Sequence, residues 1–219
     1  MKIFLSPSNQ VSNVGAYKPY GTNECEECEK IADYARQYLE DYDCEIMVAE
    51  RSDNISKRTA KAKEWGADVY IPIHTNASSN SSVWGVETFY YSTDEKGKEL
   101  AVYLLNTIGE LIDKKRSAKA KDSLGELVYT DFCTRAYVEC DFHSNPARAK
   151  WLVENPDKMG NCIAESLVSF FGIPRKDVPK EVKYKVQVGI YDTAEYASEI
   201  IKELDKLGFN GIMIEIERY

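Results

Sequence analysis

The sequence predicts an α/β fold, a mostly parallel twisted sheet covered by helices on both faces, followed by a small C-terminal β-α-β unit. Short apolar segments of strand length alternate with longer amphipathic segments from the first residues onward, as in parallel sheets whose crossovers are helices. Hydrophobic residues fill 43% of the 219 positions, enough for an ordinary core. A short segment with two prolines predicts a linker at 173–182, between a large domain at 1–172 and a small module at 183–219.

The first third of the large domain begins with an apolar strand at 3–5, followed by a long loop at 6–22 that is rich in Ser, Asn, Gly and Pro. Asn23, with Glu26 three residues later, resembles a capping box and predicts a helix from 24 to about 41. Within that helix Glu24 lies four residues before Cys28, on the face that carries the apolar residues. A carboxylate is therefore expected on the inward face of the first turn.

The middle of the domain continues the alternation of strands and helices. Residues 44–49 predict a strand, 55–65 predict a helix that ends at Gly66, and 69–73 form a nearly continuous apolar strand. The polar residues His74, Thr75 and Asn76 follow that strand.

The last third of the domain predicts strands at 85–91 and 136–138 and an amphipathic helix at 95–113. Residues 117–124, which are charged and small, predict a loop. Glu139 follows the strand at 136–138 directly, and Asn145-Pro146 opens a helical region that runs to about 171.

The C-terminal module repeats the pattern on a small scale. Residues 184–190 alternate as a strand, 193–207 have helical spacing, and 211–217 alternate again. An isolated unit of this size is marginally stable in water, so we expect it to find a partner.

Composition excludes several classes of function. Thirty-six acidic residues against 28 basic ones give a net charge of -8, which argues against a nucleic-acid partner. No apolar run approaches the roughly 18 residues of a membrane span, and the opening residues do not resemble a signal peptide, so synthesis in the cytoplasm is expected.

The six cysteines are scattered along the chain, which favours reduced thiols. Cys25 and Cys28 form a C-x-x-C motif without a second pair, so a redox role is the less favoured interpretation.

Three ionisable side chains are expected to meet at one edge of the sheet. His74 and Glu139 follow strands, and Glu24 opens the helix after the long loop. Ligands of open α/β sheets bind beyond the carboxyl ends of the strands, and a catalytic metal needs three protein ligands and an open position. Each residue also has a structural interpretation. In it, His74 is a hydrogen-bonding residue of the scaffold, and Glu24 is an acid favoured at a helix start. Glu139 is then a buried carboxylate paired with Arg58 or Arg135.

Three segments of the large domain contain these residues: Ile71-Pro72-Ile73-His74-Thr75-Asn76-Ala77, Gly85-Val86-Glu87-Thr88-Phe89-Tyr90 and Val138-Glu139-Cys140-Asp141-Phe142-His143-Ser144-Asn145-Pro146. Together they resemble the zinc-dependent N-acetylmuramoyl-L-alanine amidases of the family-3 type. The resemblance covers residues 1–172 and includes Arg58. It implies a zinc hydrolase that cuts the amide between N-acetylmuramic acid and L-alanine in peptidoglycan, with Glu24 and His74 as zinc ligands and Glu139 as the catalytic residue. Asn76, His143 and Asn145 are expected to contact substrate.

One ligand of the resemblance is missing. The family usually has Asp-Pro-Gly-His after the first strand, whereas this chain reads Ser6-Pro7-Ser8-Asn9-Gln10. Gln10 is our expected replacement, with Asn9 and His143 as alternatives. An amide oxygen is a poorer zinc ligand than an imidazole nitrogen, so another divalent metal is also open. A catalytically inactive module that binds cell wall or a protein partner is the alternative function.

The C-terminal module resembles half of a SPOR domain, through the strand Tyr184 to Tyr191 and the helix that follows. SPOR domains bind peptidoglycan glycan strands and have two such halves. Half a domain implies that two chains pair, so we expect a homodimer. The whole resembles an endolysin or a sporulation enzyme that reaches the wall after release by lysis or holin-type export.

Overall fold

The computed structural model describes residues 1–10, 16–17, 20–176, 189–210 and 212–214. The chain divides into two compact units, Met1–Asp177 and Val178–Tyr219. The strands of the first unit are β1 (Lys2–Pro7), β2 (Ala16–Tyr17), β3 (Thr22–Asn23), β4 (Glu45–Val48), β5 (Val69–Asn76), β6 (Val86–Tyr90), β7 (Lys115–Ala120), β8 (Thr134–Arg135) and β9 (Tyr137–Phe142). Its helices are α1 (Glu24–Leu39), α2 (Ile55–Trp65), α3 (Glu95–Leu111), α4 (Gly125–Val128), α5 (Pro146–Glu154) and α6 (Pro156–Phe171), and the second unit contains α7 (Ala194–Lys206).

The main sheet has the order β4-β1-β5-β9-β6-β7, with β8 beside β5. Neighbouring strands are parallel except β6 and β9, which are antiparallel, and β2 and β3 form a separate short hairpin-like pair. The predicted α/β class with a mostly parallel sheet and helices on both faces is confirmed. Because β6 runs opposite to β9, its first residues lie at the sheet edge where β5 and β9 end.

The two faces of the sheet carry different cores. Alternate residues of β1 and β5, among them Leu5 and Ile73, pack in a large apolar cluster with α1, α3 and α6. The opposite face carries a small cluster in which Phe4 stacks on Tyr70, with ring centroids 5.1 Å apart. This second face also carries polar side chains at the ends of the strands.

Four expectations about the elements are corrected. Residues 117–124 were expected to form a loop, but β7 covers residues 115–120. Strand β7 is the outermost strand of the sheet, where charged side chains stay hydrated, so its sequence lacks apolar alternation. Strands β5 and β9 are longer than expected, which places His74 and Glu139 inside strands. The final helical region is two helices, because Pro156 cannot continue α5.

The second unit is described mainly through α7. Thr193 caps this helix by accepting a hydrogen bond from the backbone N–H of Tyr196, and the helix lies within the 193–207 segment that the sequence predicts to be helical. The expected strand at 184–190 lies outside the described residues except for its last two positions. Of the expected strand at 211–217 only 212–214 are described, and they are not in a strand. Throughout the described segments, no helix combines the length and the apolar composition needed to span a bilayer.

Gly160 is needed where α6 packs against α1. A Cβ atom there would lie 2.4 Å from the carbonyl oxygen of Ile31 and 2.9 Å from the backbone nitrogen of Ala35. Gly160→Ala should therefore lower the free energy of unfolding by about 1–3 kcal/mol, because backbone atoms must shift to admit the methyl group. Urea unfolding measures the loss, and Asn161→Ala, at the exposed next position, is the control. Equal stability of the two variants would contradict this close approach.

Candidate functional site

Three ionisable side chains lie in a row across the sheet. His74 of β5 is the register partner of Glu139 of β9, and Glu139 is in turn the partner of Glu87 of β6. Residues paired across neighbouring strands point to the same face. The predicted meeting of His74 and Glu139 at one sheet edge is therefore what the structure shows, and the reversed direction of β6 adds Glu87 to it.

His74 lies between two carboxylates. Its Nδ1 is 3.2 Å from Glu24 Oε1, and its Nε2 is 3.1 Å from Glu126 Oε2. The imidazole stacks on Tyr137, with ring centroids 4.5 Å apart. Glu24 also accepts a hydrogen bond from the backbone N–H of Thr75 at 3.3 Å. The structure thus brings together Glu24, His74 and a third residue that sequence reasoning missed.

Glu126 is that missed residue, and it is deeply buried. Its Oε1 accepts hydrogen bonds from the hydroxyls of Ser6 and of Tyr70, the latter at 2.9 Å. It lies on α4, which has only four residues and no periodic pattern, in a stretch that resembles a charged loop. The sequence signal for a buried segment here is Leu127, the apolar residue next to Glu126, which packs in the cluster with Phe89 and Tyr137.

These contacts shift the protonation equilibria of all three groups. Burial disfavours the charged imidazole, but the hydrogen bonds to Glu126 and Glu24 outweigh it and raise the pKa of His74 to about 10. Burial likewise disfavours the charged carboxylates, yet the contact with His74 leaves the pKa of Glu24 and that of Glu126 below their ordinary value. Without a metal ion, the three groups form a carboxylate–imidazolium–carboxylate chain.

Glu139 is in a different electrostatic state. Burial raises the pKa of Glu139 to about 7, although the charge of His74 opposes the change. Its Oε2 is buried, and no described residue gives it a hydrogen bond. The alternative reading of Glu139 as the partner of Arg58 or Arg135 is wrong, because those side chains bond elsewhere: Arg58 to the end of β1 and Arg135 to the carbonyl of Thr130.

The two amides after β1 differ in their surroundings. The Asn9 Oδ1 accepts a hydrogen bond from Arg58 Nη2 at 3.0 Å, and its Nδ2 donates to the carbonyl of Ala49 at 3.1 Å. Both polar atoms of Asn9 are thus engaged in the scaffold. Gln10, the next residue, is only half-buried, and the hydrogen bonds and ion pairs of Glu24 and His74 within the described residues do not include it.

The residues expected to contact substrate surround the same edge. Asn76 Nδ2 donates to Glu87 Oε2 at 2.9 Å. His143 is buried, and its Nδ1 lies 3.0 Å from Thr75 Oγ1. Asn145 caps α5, since its Oδ1 accepts from the backbone N–H groups of the first turn. The cap uses the Asn145 side-chain oxygen.

None of the six cysteines forms a disulfide. Cys28 is fully buried, and burial raises the pKa of its thiol. The Cys25 Sγ donates to the Asn9 carbonyl at 3.0 Å, and burial raises the pKa of that thiol too. Reactive cysteines have lowered thiol pKa values, so this C-x-x-C does not have the electrostatics of a redox pair.

Two of the three expected metal ligands fit a divalent cation. Ligands about 2.0–2.2 Å from a tetrahedral zinc lie about 3.3 Å apart, close to the 3.2 Å between Glu24 Oε1 and His74 Nδ1. Glu139 is the register partner of His74, and its buried Oε2 has no hydrogen-bond partner among the described residues. Across the described ranges, however, no cluster of three His, Cys, Asp or Glu side chains is arranged to hold a metal ion.

The raised pKa of Glu139 predicts how stability depends on pH. Because its pKa is higher in the folded chain than in the unfolded chain, the folded state binds more protons between about pH 4.5 and 7, and stability falls as pH rises through this window. In chelator-treated protein, Glu139→Gln should be more stable than the wild type at pH 8 by an amount on the order of 1 kcal/mol, and equally stable near pH 4.5. Urea unfolding at both pH values measures this, and a constant difference would contradict the shift.

Comparison with known proteins agrees with this architecture. The family model described as N-acetylmuramoyl-L-alanine amidase matches residues 3–169, and no curated protein matches the sequence. Similar structures include the catalytic domain of the amidase CwlV from Paenibacillus polymyxa var. colistinus (17% identity, TM-score 0.71, 78% of this chain and 98% of that one) and the amidase AmiC2 of Nostoc punctiforme (22%, 0.71, 78% and 97%). The CwlD amidase from Clostridioides difficile, solved in complex with the GerS lipoprotein, is also similar (21%, 0.69, 78% and 98%). These structures share the fold of the first unit, and the match over 3–169 shows that the chain belongs to the N-acetylmuramoyl-L-alanine amidase family.

Proposed function

We propose that the protein is a metal-dependent hydrolase that cuts the amide bond between N-acetylmuramic acid and L-alanine in bacterial peptidoglycan. The single observation that carries this proposal is the position of Glu139, in register with His74 and beside the Glu24–His74 pair in the amidase fold. A proton acceptor next to two metal-type donors is the arrangement that hydrolysis of an unactivated amide requires.

Glu139 is the proposed catalytic residue. Its buried Oε2, which has no hydrogen-bond partner in the described part of the chain, is suited to accept a proton from the attacking water. A pKa of about 7 leaves a large fraction of the group ionised at neutral pH and still able to return the proton to the leaving L-alanine nitrogen. Glu87, the next residue in the row, is paired with Arg116 at 3.1 Å, so its charge is already balanced.

Glu24 and His74 are the proposed ligands, with Gln10 as the third. A divalent metal, with zinc as the first expectation, supplies when bound an acidified water and polarisation of the scissile carbonyl. Gln10 is preferred to Asn9, because the Asn9 oxygen is engaged by Arg58. All three residues lie on segments that start or end at the same sheet edge, next to the carboxyl ends of β1 and β5.

The experiment that tests this function uses purified peptidoglycan. Wild-type protein should release peptides that begin with a free L-alanine amine, chelation should abolish release, and added zinc should restore it. Glu139→Gln should reduce the rate by about 10²–10⁴-fold while the metal content is unchanged. Glu27→Gln, a change at another fully buried glutamate with its own partners Thr22 and Lys30, is the control. A Glu139→Gln rate equal to the wild type would remove Glu139 from the mechanism.

An inactive, wall-binding amidase-like module is the second candidate. It is favoured by the shortage of acidic and imidazole donors among the described residues and by the amide at the position of the missing histidine. Metal analysis of the purified protein separates the two candidates, because an inactive module should contain no stoichiometric metal and release no peptide.

The C-terminal unit is proposed to pair two chains. Several large apolar side chains in and after α7 are exposed, and a polar substrate would not cover them: Tyr196, Leu207, Phe209, Ile212, Met213 and Ile214. A patch of this kind marks an interaction surface. Peptidoglycan remains the proposed substrate of the first unit, and the expected place of action is the cell wall after release from the producing cell.

Light scattering on the full chain at micromolar concentration should therefore give the mass of a homodimer. Phe209→Ser together with Ile212→Ser should shift the mass towards that of one chain, since the apolar area is lost. A monomeric wild-type chain would contradict the proposed pairing.

A further inference from the structure

Glu126 has no part in the chemistry proposed so far, yet it makes one of the two polar contacts of the His74 ring. Its Oε2 lies 3.1 Å from His74 Nε2, on the side of the imidazole away from Glu24. A histidine that binds a metal through one ring nitrogen usually donates the other N–H to a carboxylate, and this contact fixes the tautomer and the orientation of the ring. The contacts of His74 match that arrangement.

The Glu126 carboxylate is itself held in one orientation. Its Oε1 accepts from the hydroxyls of Ser6 and Tyr70, so that Oε2 is directed to His74. Ser6 also accepts a hydrogen bond from Arg58 Nη1 at 3.0 Å. The backbone of Glu126 is fixed as well, because its carbonyl accepts from the Thr130 hydroxyl at 2.6 Å. Glu126 is thus a rigid acceptor with both oxygens engaged.

The alternative role for Glu126, that of a direct ligand, does not agree with these contacts. The hydroxyls of Ser6 and Tyr70 donate to one of its oxygens, and the imidazole of His74 lies at the other. Glu24 differs: besides the contact with His74, the hydrogen bond it accepts among the described residues is the long one of 3.3 Å from the Thr75 backbone. The two glutamates on either side of His74 are therefore not equivalent.

We propose that Glu126 is a positioning residue of the metal site: it accepts the Nε2–H of His74 and so directs the Nδ1 lone pair towards the space beside Glu24 Oε1. This inference rests on the proposed function. A carboxylate on Nε2–H also makes the imidazole a stronger donor at Nδ1. Glu126 thereby offsets the weaker amide ligand that is proposed in place of a histidine.

The chain suits a spectroscopic test, because His74 and His143 are its only histidines. Full-length protein labelled with ¹⁵N-histidine and loaded with zinc should show His74 in the Nε2–H form with a slowly exchanging proton, and His143→Gln assigns the signals. Glu126→Gln keeps the size of the side chain but weakens the acceptor. In this variant the protected Nε2–H signal should be lost, and zinc affinity, measured by competition with a chromogenic chelator, should fall about 10- to 100-fold.

Two further variants keep the test decisive. Glu27→Gln replaces another fully buried glutamate and should change neither readout. Tyr70→Phe removes one hydrogen bond to Glu126 without touching His74 and keeps the stacking on Phe4. It should weaken zinc binding in the same direction but less, and it answers the question if Glu126→Gln does not fold.

The outcomes separate this inference from the proposed function. Unchanged zinc affinity and an unchanged His74 signal in Glu126→Gln, or in Tyr70→Phe if only that variant folds, would overturn the positioning role even if the protein is an active amidase. Nδ1–H in the zinc-loaded wild type, or no zinc binding at all, would overturn it too. Zinc binding that depends on Glu126 in a protein that releases no peptide would support the positioning role and refute the amidase.

Discussion

The buried guanidinium of Arg58 is the constraint on which the site depends. It has no exposed surface, and it donates to the Pro7 carbonyl at 2.7 Å and to the side chains of Ser6 and Asn9. A buried charge is costly unless its donors are satisfied, so the end of β1 has little freedom to move. Ser6 also donates to Glu126. Arg58 is therefore connected to the imidazole of His74 through two side chains, those of Ser6 and Glu126.

The site also balances its charges within a few ångströms. Carboxylates of Glu24 and Glu126 flank one imidazolium, and the opposite charge of Arg58 helps to keep the pKa of Glu126 low. Glu139, beside them, has a raised pKa because its own burial is not compensated by a hydrogen bond at Oε2. Glutamates in one site thus have either a lowered or a raised pKa, depending on whether hydrogen-bond donors contact the carboxylate.

The sheet, its mostly parallel strand order and the proximity of Glu24, His74 and Glu139 could be predicted from the sequence. These depend on signals that are local in the chain: apolar strands, a helix cap, and polar residues near strand ends. Sequence reasoning missed β7 because an edge strand needs no apolar alternation, and it missed Glu126 because a four-residue helix leaves no periodic pattern. The roles of Asn9 and Glu126 are fixed by partners 49 and 52 residues away, and such pairings are not legible in a single sequence.

The contact between Asn9 and Arg58 restricts which side chains position 9 can hold. The Asn9 oxygen accepts a hydrogen bond from a buried cation. A histidine at this position would remove that acceptor and introduce a larger ring at a site with 1% exposure. The scaffold therefore opposes histidine at position 9, and the cost of that substitution depends on the residue at position 58.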